Sequence, residues 1–480
     1  MDIYQTARAA VERISGQARA LAKTIWEYAE LPYAEVKSAA ALMDALAAEG
    51  FSVTAGVAGM PTCFTAACQV GQGGPAVGFL GEYDALDGLS QEAGLPEKAP
   101  VIPGGPGHGC GHNLLGAGCF AAAVALRDSL IALGRSGKVI FFGCPAEEGA
   151  GSKQFMARAG CFEGLDFALT WHPGTVNQIS AKTNVAIYGG IFSFDGVSSH
   201  AGSAPHLGRS ALDAAELTNI GSNYLREHMP EGARIHYAYV DAGGTAANVI
   251  PAHAEIKYEV RARTIAETKA LFDRVTDVAR GAALMAQTRV RWGSLMAFSD
   301  YTPNRAIAAV VSRCFEELGA PPWTAEEEAL AAKFLSTYPE ATRQAARQSL
   351  EEELGEPLPD NWEEAPLDKT VHPFQPLDKG AVCGSTDVGD VSYAVPTVLV
   401  SVATACMGNV GHSWQNTAFS CSVIGMKGML HAALVLTAGA LALLDRPEAL
   451  AQAKGELLKK NGGAYRCPLP PEAMPPVGQY

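Results

Sequence analysis

The sequence predicts an α/β protein in which a mostly parallel sheet is flanked by helices and carries a small inserted α+β domain. Helical and strand patterns alternate through the first part of the chain, and strands such as KVIFFGC and DFALTWH are almost continuously apolar. Such strands are typical of a parallel sheet that helices cover on both faces. Between residues 185 and 301, long alternating strands and two helices follow in the order β-α-β-β-α-β, which indicates an inserted α+β domain.

The individual elements follow in chain order. In the first part we predict helices at 4–30, 35–49, 114–133 and 153–159, and strands at 63–70, 76–80, 138–144 and 166–172. In the inserted part we predict strands at 185–197, 234–244, 252–263 and 288–301, and helices at 211–225 and 264–286. The strand 395–404 and C-terminal helices return to the first sheet. We therefore expect a catalytic domain over residues 1–184 and 302–480, an inserted domain over 185–301, and a helical acidic insert at about 321–379 that shapes a rim.

The composition limits the classes of protein to which the chain can belong. Its 480 residues require more than one domain, and its hydrophobic fraction of 48% supplies a real interior. A net charge of −14 repels phosphate backbones, so we expect no nucleic-acid partner. The N-terminus lacks the pattern of a secretory signal, and the apolar stretch 428–444, interrupted by His431, predicts a buried helix rather than a membrane span. The 11 scattered cysteines favour a reducing cytoplasm over a disulfide framework.

The densest cluster of candidate ligands is the segment GHGCGHNLLGAG at residues 107–118. It places His108, Cys110 and His112 in a glycine-rich loop that opens a helix. Glycines let the backbone wrap closely around an ion, and cysteine and histidine are ligands for a borderline-soft divalent metal. One alternative is a nucleotide-binding loop, but the glycine spacing does not match the dinucleotide fingerprint. The other is a set of buried polar residues without a ligand.

A pair of glutamates follows the next apolar strand. Glu147 and Glu148 come shortly after KVIFFGC, so we expect them at the carboxyl end of the sheet, where ligand sites of open α/β folds gather. Because adjacent carboxylates cannot point the same way, one can bind a metal while the other faces the substrate as a general base. Considered alone, two glutamates at this place indicate a solvated first helical turn.

Two histidines complete the pattern. His172 ends the strand DFALTWH, and His412 lies in the loop GNVGHSWQN after the strand VPTVLVSVAT. A single histidine at a strand end is more often a hydrogen-bonded core residue than a ligand. Four such elements at the strand ends of one predicted sheet favour a metal site, which can lower the pKa of water for hydrolysis.

Together with GEYDALDGLSQ and GSTDVGDVSY, these motifs resemble the co-catalytic di-metal aminoacylase/carboxypeptidase family, and within it the branch that uses a cysteine ligand. The likeness covers almost the whole chain, including the acidic insert. It implies two divalent ions, manganese or zinc, in a phosphorylase/hydrolase-like catalytic domain, and an inserted domain that serves dimerisation or acts as a lid. Carried over by motif, the metal ligands would be Cys110, His112, Glu148, His172 and His412.

The same resemblance implies roles for further residues. Glu147 would be the general base, and His200 in SSHAGSAPH would reach across a dimer to the neighbouring active site. Asn248 would bind the substrate carbonyl and Arg261 its carboxylate, with an exposed strand charge as the alternative for Arg261. His108 and His206 would support the site or the fold.

Two positions depart from the family pattern. Many relatives carry a His-x-Asp pair after an early strand, whereas this chain has Glu82, Tyr83 and Asp84 there, which offers no histidine ligand. Asp84 can still hold a metal ligand in place without binding the metal itself. Asn113 stands where close relatives have an aspartate, which leaves the charge around the site open.

The expected activity is metal-dependent hydrolysis of the amide bond of an N-acyl amino acid, with p-aminobenzoyl-glutamate as the preferred substrate that the resemblance implies. A general aminoacylase, a dipeptidase or an indole-acetyl-amino-acid hydrolase would use the same machinery. A non-catalytic subunit of a hetero-oligomeric hydrolase is the alternative from another class, although it would not need Glu147. The expected partners are the small substrate and a second chain, identical or homologous, with neither nucleic acid nor membrane.

Overall fold

The computed structural model describes residues 2–179, 181, 183–375, 381–382 and 384–478. Within these residues the helices are α1 Ile3–Tyr28, α2 Val36–Ala48, α3 His112–Leu133, α4 Lys153–Arg158, α5 Ala211–Leu225, α6 Ile265–Ala286, α7 Arg305–Leu318, α8 Ala325–Ser336, α9 Glu340–Leu354, α10 Val388–Ala394, α11 Trp414–Phe419, α12 Val423–Leu444 and α13 Pro447–Asn461. The strands are β1 Ser52–Ala55, β2 Phe64–Val70, β3 Ala76–Glu82, β4 Gly137–Cys144, β5 Phe167–Gly174, β6 Asn177–Gln178, β7 Thr183–Asn184, β8 Ala186–Asp195, β9 Arg234–Asp241, β10 His253–Ala262, β11 Arg289–Phe298, β12 Val371–His372, β13 Ala381–Val382 and β14 Thr397–Ala403.

The larger sheet is parallel at its centre and mixed at its edges. In the part of the chain that the structure describes, eight strands form it in the order β1-β2-β4-β3-β5-β14-β6-β12. The central strands β4, β3, β5 and β14 run parallel, as their apolar patterns predict. The pairs β1–β2, β2–β4 and β14–β6 are antiparallel. The sheet is therefore mixed, since the predicted parallel strands form its centre and the antiparallel pairs involve strands outside that centre.

Helices cover the two faces of this sheet. On one face α1, α3, α7 and α12 enclose the largest apolar cluster, and on the other face α4 and α10 pack beside the smaller sheet. Two helices, α3 and α12, are long and apolar enough to cross a membrane, but 83% of the relevant window of each is buried inside the protein. Both are core helices, so the buried helix predicted at 428–444 is confirmed.

The smaller sheet lies between β7 and α7 in the chain. Its strand order is β11-β8-β10-β9, every pairing is antiparallel, and α5 and α6 pack against it. The elements therefore follow the β-α-β-β-α-β order that the sequence predicts. At one edge of this sheet, β9 pairs only with β10 among the described strands, and it exposes Tyr237 and Tyr239.

The acidic insert at 321–379 contains the predicted helical excursion, as α8 and α9, and its expected end at residue 379 lies outside the described residues. The insert builds a third apolar cluster, in which Phe334 and Trp362 pack with Met407 and Phe419. Because Met407 lies in the loop between β14 and α11, the insert contacts the same loop that carries His412.

Candidate metal centre

The candidate metal centre lies at the carboxyl ends of the central parallel strands, where the sequence predicts it. Within the described residues, three overlapping groups of possible ligand atoms each fit within 4.8 Å. These groups are Cys110, His112 and His172; Cys110, Glu148 and His412; and Glu82, His112 and Glu147. The structure therefore brings the five predicted ligands and the predicted base into one cluster.

Glycines allow the loop before α3 to present Cys110 and His112. Gly111 has a φ of 79°, a left-handed conformation that favours glycine, and it directly precedes the first residue of the helix. A Cβ on Gly107 would lie 2.2 Å from the carbonyl oxygen of Leu89, so a larger residue does not fit. The backbone N–H of His412 donates to the carbonyl of Gly109 at 3.0 Å, which joins this loop to the loop after β14.

Hydrogen bonds orient the buried His112 and the partly buried His172 towards the cluster. Nδ1 of His112 lies 2.7 Å from a carboxylate oxygen of Asp84, and Nδ1 of His172 donates to the carbonyl of Pro173 at 2.8 Å. Both contacts involve Nδ1 and leave Nε2 on the side of the centre, which is the arrangement in which a neutral histidine binds a metal. Burial, and after it the charge of His112, lowers the pKa of His172, which favours the neutral ring.

Glu148 connects several parts of the centre. Its carboxylate lies 3.1 Å from Nε2 of His412, and its backbone N–H donates to Asp84 at 2.8 Å. Burial opposes the ionisation of Glu148, but the hydrogen bond with His412 and the charges of both His112 and His412 lower its pKa to about 2. The glutamate is therefore an anion that can bind a cation.

The donor set fits a pair of divalent ions such as zinc or manganese. Nε2 of His112 is buried and has no hydrogen-bond partner within the described part of the chain. An unsatisfied buried polar atom costs about 1–3 kcal/mol, and a bound cation would remove that cost. Cys110 adds a sulfur, which lies 3.5 Å from Nε2 of His172. Sulfur, imidazole and carboxylate together suit zinc, and the nitrogen and oxygen donors also suit manganese.

The predicted base Glu147 follows a constrained turn. Ala146 has a φ of 61°, which is uncommon for a residue other than glycine, and its N–H donates to the buried carboxylate of Glu35 at 2.8 Å. Burial, followed by the charges of Glu82 and Glu148, raises the pKa of Glu147 well above its usual value. A carboxylate with a raised pKa is suited to accept a proton and return it. Glu35 carries no local sequence signal for this role, so it was not among the predicted site residues.

A buried ion-pair cluster that the sequence did not predict lies beneath the centre. Nζ of Lys153 lies 2.6 Å from Glu82 and 2.5 Å from Asp387, and all three side chains are almost completely buried. Burial opposes the charge on the lysine, but Asp387 and then Glu82 raise its pKa well above its usual value. The second oxygen of Glu82 lies 3.4 Å from Nε2 of His112. Glu82 therefore contacts both Lys153 and the candidate ligand His112, and so links the ion-pair cluster to the centre.

One cavity of about 570 Å³ connects the centre to the smaller sheet. Its wall includes Lys257, Glu259 and Arg261, which alternate along β10 and so share one face of that strand. Arg261 donates to the hydroxyl of Ser385 at 2.8 Å. Because that partner is neutral, the charge of the guanidinium is available to a substrate carboxylate, which favours the binding role predicted for Arg261 over an exposed strand charge.

The structure does not bring His200 and Asn248 into this cavity. Both are exposed, and they lie on neighbouring segments, since the N–H of Ala201 donates to the carbonyl of Asn248 at 2.9 Å. Nδ1 of His200 accepts from the N–H groups of Gly202 and Ser203. Neither His200 nor Asn248 is among the described residues that line the cavity. Their predicted roles therefore require a second chain or a change in conformation.

Two of the remaining polar residues that the sequence singled out, His108 and Asn113, support the fold. His108 is buried, and Nε2 of its ring lies 3.0 Å from the carbonyl of Ile25. The amide of Asn113 donates to the carbonyls of Ala22 and Ser420, so Asn113 ties α3 to two neighbouring segments. His206 is exposed in a short turn of the smaller-sheet region.

Comparisons with known proteins identify the family and the fold of the chain. Residues 78–359 match the model of peptidase family M20/M25/M40. The chain is 38% identical to one of the subunits of p-aminobenzoyl-glutamate hydrolase from Escherichia coli, over 99% of both chains. It is 33% identical to the Xaa-Arg dipeptidase of Mus musculus, over 65% of this chain and 71% of that one. A dinuclear metal-binding M20 peptidase from Bacillus subtilis shares the fold, with a TM-score of 0.53 and 18% identity over 89% of this chain and 99% of that one.

We predict that Lys153→Met destabilises the metal-free protein by about 3–5 kcal/mol, because it leaves two buried carboxylates without their counter-charge. Urea unfolding in the presence of a chelator measures this loss. The matched control is Lys23→Met, which removes an exposed lysine 3.7 Å from Glu27 and should change the free energy of unfolding by less than about 1 kcal/mol. Equal losses in the two variants would show that the buried cluster does not stabilise the fold.

Proposed function

The chain belongs to peptidase family M20/M25/M40 and is a metal-dependent amidohydrolase, and from this premise we propose that it hydrolyses p-aminobenzoyl-glutamate to p-aminobenzoate and glutamate. The observation that carries the proposal is one cavity whose wall combines four of the candidate ligands, Glu147 and Arg261. The identity of 38% over nearly the full length of a p-aminobenzoyl-glutamate hydrolase chain supports the substrate.

We assign the ligands of two divalent ions, zinc or manganese, to the cluster at the strand ends. The residues are Cys110, His112, Glu148, His172 and His412. When bound, the ions supply the Lewis acidity that lowers the pKa of water and polarises an amide carbonyl. Glu147 accepts the proton of the attacking water and later returns it to the leaving amine. Asp84 holds the imidazole of His112 in the orientation that this chemistry needs.

The substrate is held from the side of the smaller sheet. Arg261 binds the carboxylate of the amino-acid part, since its guanidinium faces the cavity and is paired only with a hydroxyl in the contacts described for it. Asn248 binds the scissile carbonyl and His200 stabilises the charge that develops on its oxygen. Both residues are exposed in their own chain, so we assign them to the active site of a second chain.

The assembly proposal follows from the smaller sheet. Residues 185–301 form the dimerisation or lid domain, and residues 1–184 and 302–480 form the catalytic domain. The edge of β9, which has no further partner among the described strands, and the exposed Tyr224 and Tyr239 offer a surface to a second copy or a homologous subunit. The Escherichia coli relative is itself a subunit of a hydrolase, which supports the heteromeric version. The cysteines that the structure describes are free thiols, which supports a cytoplasmic location.

A dipeptidase is the second candidate function. The similarity to an Xaa-Arg dipeptidase favours this function. The same ligands, base and arginine would serve a dipeptide substrate. A non-catalytic subunit is less well supported, because Glu147 occupies the cavity beside the candidate ligands and has a raised pKa that suits a base.

A substrate panel tests the proposed specificity. We expect the purified, metal-loaded chain to release p-aminobenzoate from p-aminobenzoyl-glutamate with a kcat/KM at least about tenfold above that for the same amide without a carboxylate, because a charge-assisted contact contributes about 1.5–3 kcal/mol. An alanyl-arginine dipeptide is measured in parallel. A higher kcat/KM for the dipeptide would transfer the assignment to the dipeptidase.

We predict that Glu147→Gln lowers the rate of hydrolysis by about 10²–10⁴-fold while the metal content stays normal. The base is needed for proton transfer, whereas the assigned ligands hold the ions without it. A rate assay and elemental analysis of the same sample measure both quantities. Full activity, or a loss of metal equal to the loss of rate, would contradict the role of Glu147.

We predict that mixing two inactive variants restores activity if His200 acts in a second chain. Glu147→Gln protein and His200→Ala protein are combined under conditions that exchange subunits, and the mixed dimer then contains one site in which both residues are intact. Its activity should approach half that of the unmodified dimer. The control mixes Glu147→Gln with the double variant, in which Glu147 is never intact.

The alternative for His200 is a monomer in which the smaller sheet closes onto its own site by a hinge motion. If His200 serves the site of its own chain, the mixture stays inactive, and so do mixed dimers whose composition has been verified. The composite-site proposal would then be wrong, although the proposed reaction would not be affected.

A further inference from the structure

The loop that carries His412 has no regular secondary structure between β14 and α11. His412 itself has a φ of 54°, an uncommon conformation for a residue with a side chain. Such a backbone persists only where surrounding contacts hold it. Several of the contacts that hold this loop come from the acidic insert at 321–379.

Tyr338, which follows α8, contributes the main polar contacts of the insert to this loop. Its side chain is buried, with 7% of the residue exposed. The hydroxyl donates to Oδ1 of Asn409 at 2.9 Å, and it accepts the backbone N–H of Val410 at 3.1 Å. The hydroxyl of Ser413 lies 3.3 Å away. One side chain of the insert therefore contacts the loop on both sides of His412.

The hydrogen bonds continue from Tyr338 to the loop of Cys110. The amide of Asn409 donates to Oδ1 of Asn416 at 2.7 Å, and the amide of Asn416 donates to the carbonyl of Gly109 at 2.6 Å. The N–H of His412 also donates to that carbonyl. A contiguous path of hydrogen bonds thus joins the insert to the residue that precedes Cys110.

Apolar contacts support the same arrangement. The ring of Trp362 lies so close to Gly408 that a Cβ on the glycine would be 3.0 Å from it, and the N–H of Met407 donates to the carbonyl of Pro366 at 2.7 Å. Phe334 and Phe419 have ring centroids 4.1 Å apart, which joins α8 to α11. The insert therefore packs against Met407 and Gly408 at the start of the loop and against α11 beyond its end.

We propose that Tyr338 is a positioning residue of the metal centre, and that the insert keeps the loops of His412 and Cys110 in register. It contacts neither substrate nor ion and acts through the two loops. The proposal rests on the assignment of His412 as a ligand under the proposed function. It gives the acidic insert a role in metal binding rather than only in shaping a rim.

Titration of the metal-free protein with Co²⁺ tests the proposal, since the visible absorption of this ion reports both its affinity and its ligand geometry. We expect Tyr338→Phe to weaken Co²⁺ binding by about 10–100-fold and to change the absorption spectrum. Loss of a residue that supports a metal ligand typically has an effect of this size. The ring and its packing remain in this variant. Asn409→Ala interrupts the same path outside the insert and should act in the same direction.

The matched control is Tyr258→Phe, which removes another buried tyrosine hydroxyl, one that donates to Asn219 at 2.7 Å in the smaller-sheet region. It should leave the affinity for Co²⁺ within about twofold of the parent. His412→Ala separates the two proposals. If it does not weaken Co²⁺ binding, the ligand assignment fails. If it does, and Tyr338→Phe and Asn409→Ala both match the control, the positioning role of Tyr338 is wrong.

Discussion

Charge balance among buried carboxylates is the constraint on which the site depends. Lys153 neutralises part of the charge of Glu82 and Asp387, but Glu147 and Glu148 lie beside them in the same cluster. A buried carboxylate must take up a proton or meet a cation. The raised pKa of Glu147 is the first response, and the ionised Glu148, which lies beside Cys110 and His412, prepares the second. Binding of divalent ions would therefore be coupled to proton release and to the stability of the fold.

The part of the site that lies at strand ends could be predicted from the sequence. Glu147, Glu148 and His172 follow or end apolar strands, and the carboxyl ends of parallel strands meet at one edge of a sheet. Lys153 and Asp387 could not be paired in this way, because they are 234 residues apart and neither lies at a strand end. Locally, Lys153 is the first residue of a short helix, and Asp387 lies in a turn between two glycines. Both patterns have commoner explanations than a buried ion pair.

The fold shows the same boundary between what periodicity predicts and what it does not. Burial and element type are local, so α5 was predicted at its observed bounds and β4 within one residue. Strand direction is a property of pairs, so the sequence of β2 alone does not reveal that this strand runs antiparallel to β4. The short edge strand β1 was not predicted, because four residues are too few for a period to be recognised.

Two residues with uncommon backbone conformations flank the candidate centre, and each is held from a distant part of the chain. Ala146 turns the chain before Glu147, and the buried Glu35 anchors its N–H. His412 turns the other loop, which the acidic insert supports. A left-handed conformation of this kind costs about 1–3 kcal/mol, so neither turn would persist on local preference alone. The base and the last ligand thus take their positions from contacts made elsewhere in the fold. This explains why motifs around the strand ends identify the reacting groups but leave out the residues that hold them.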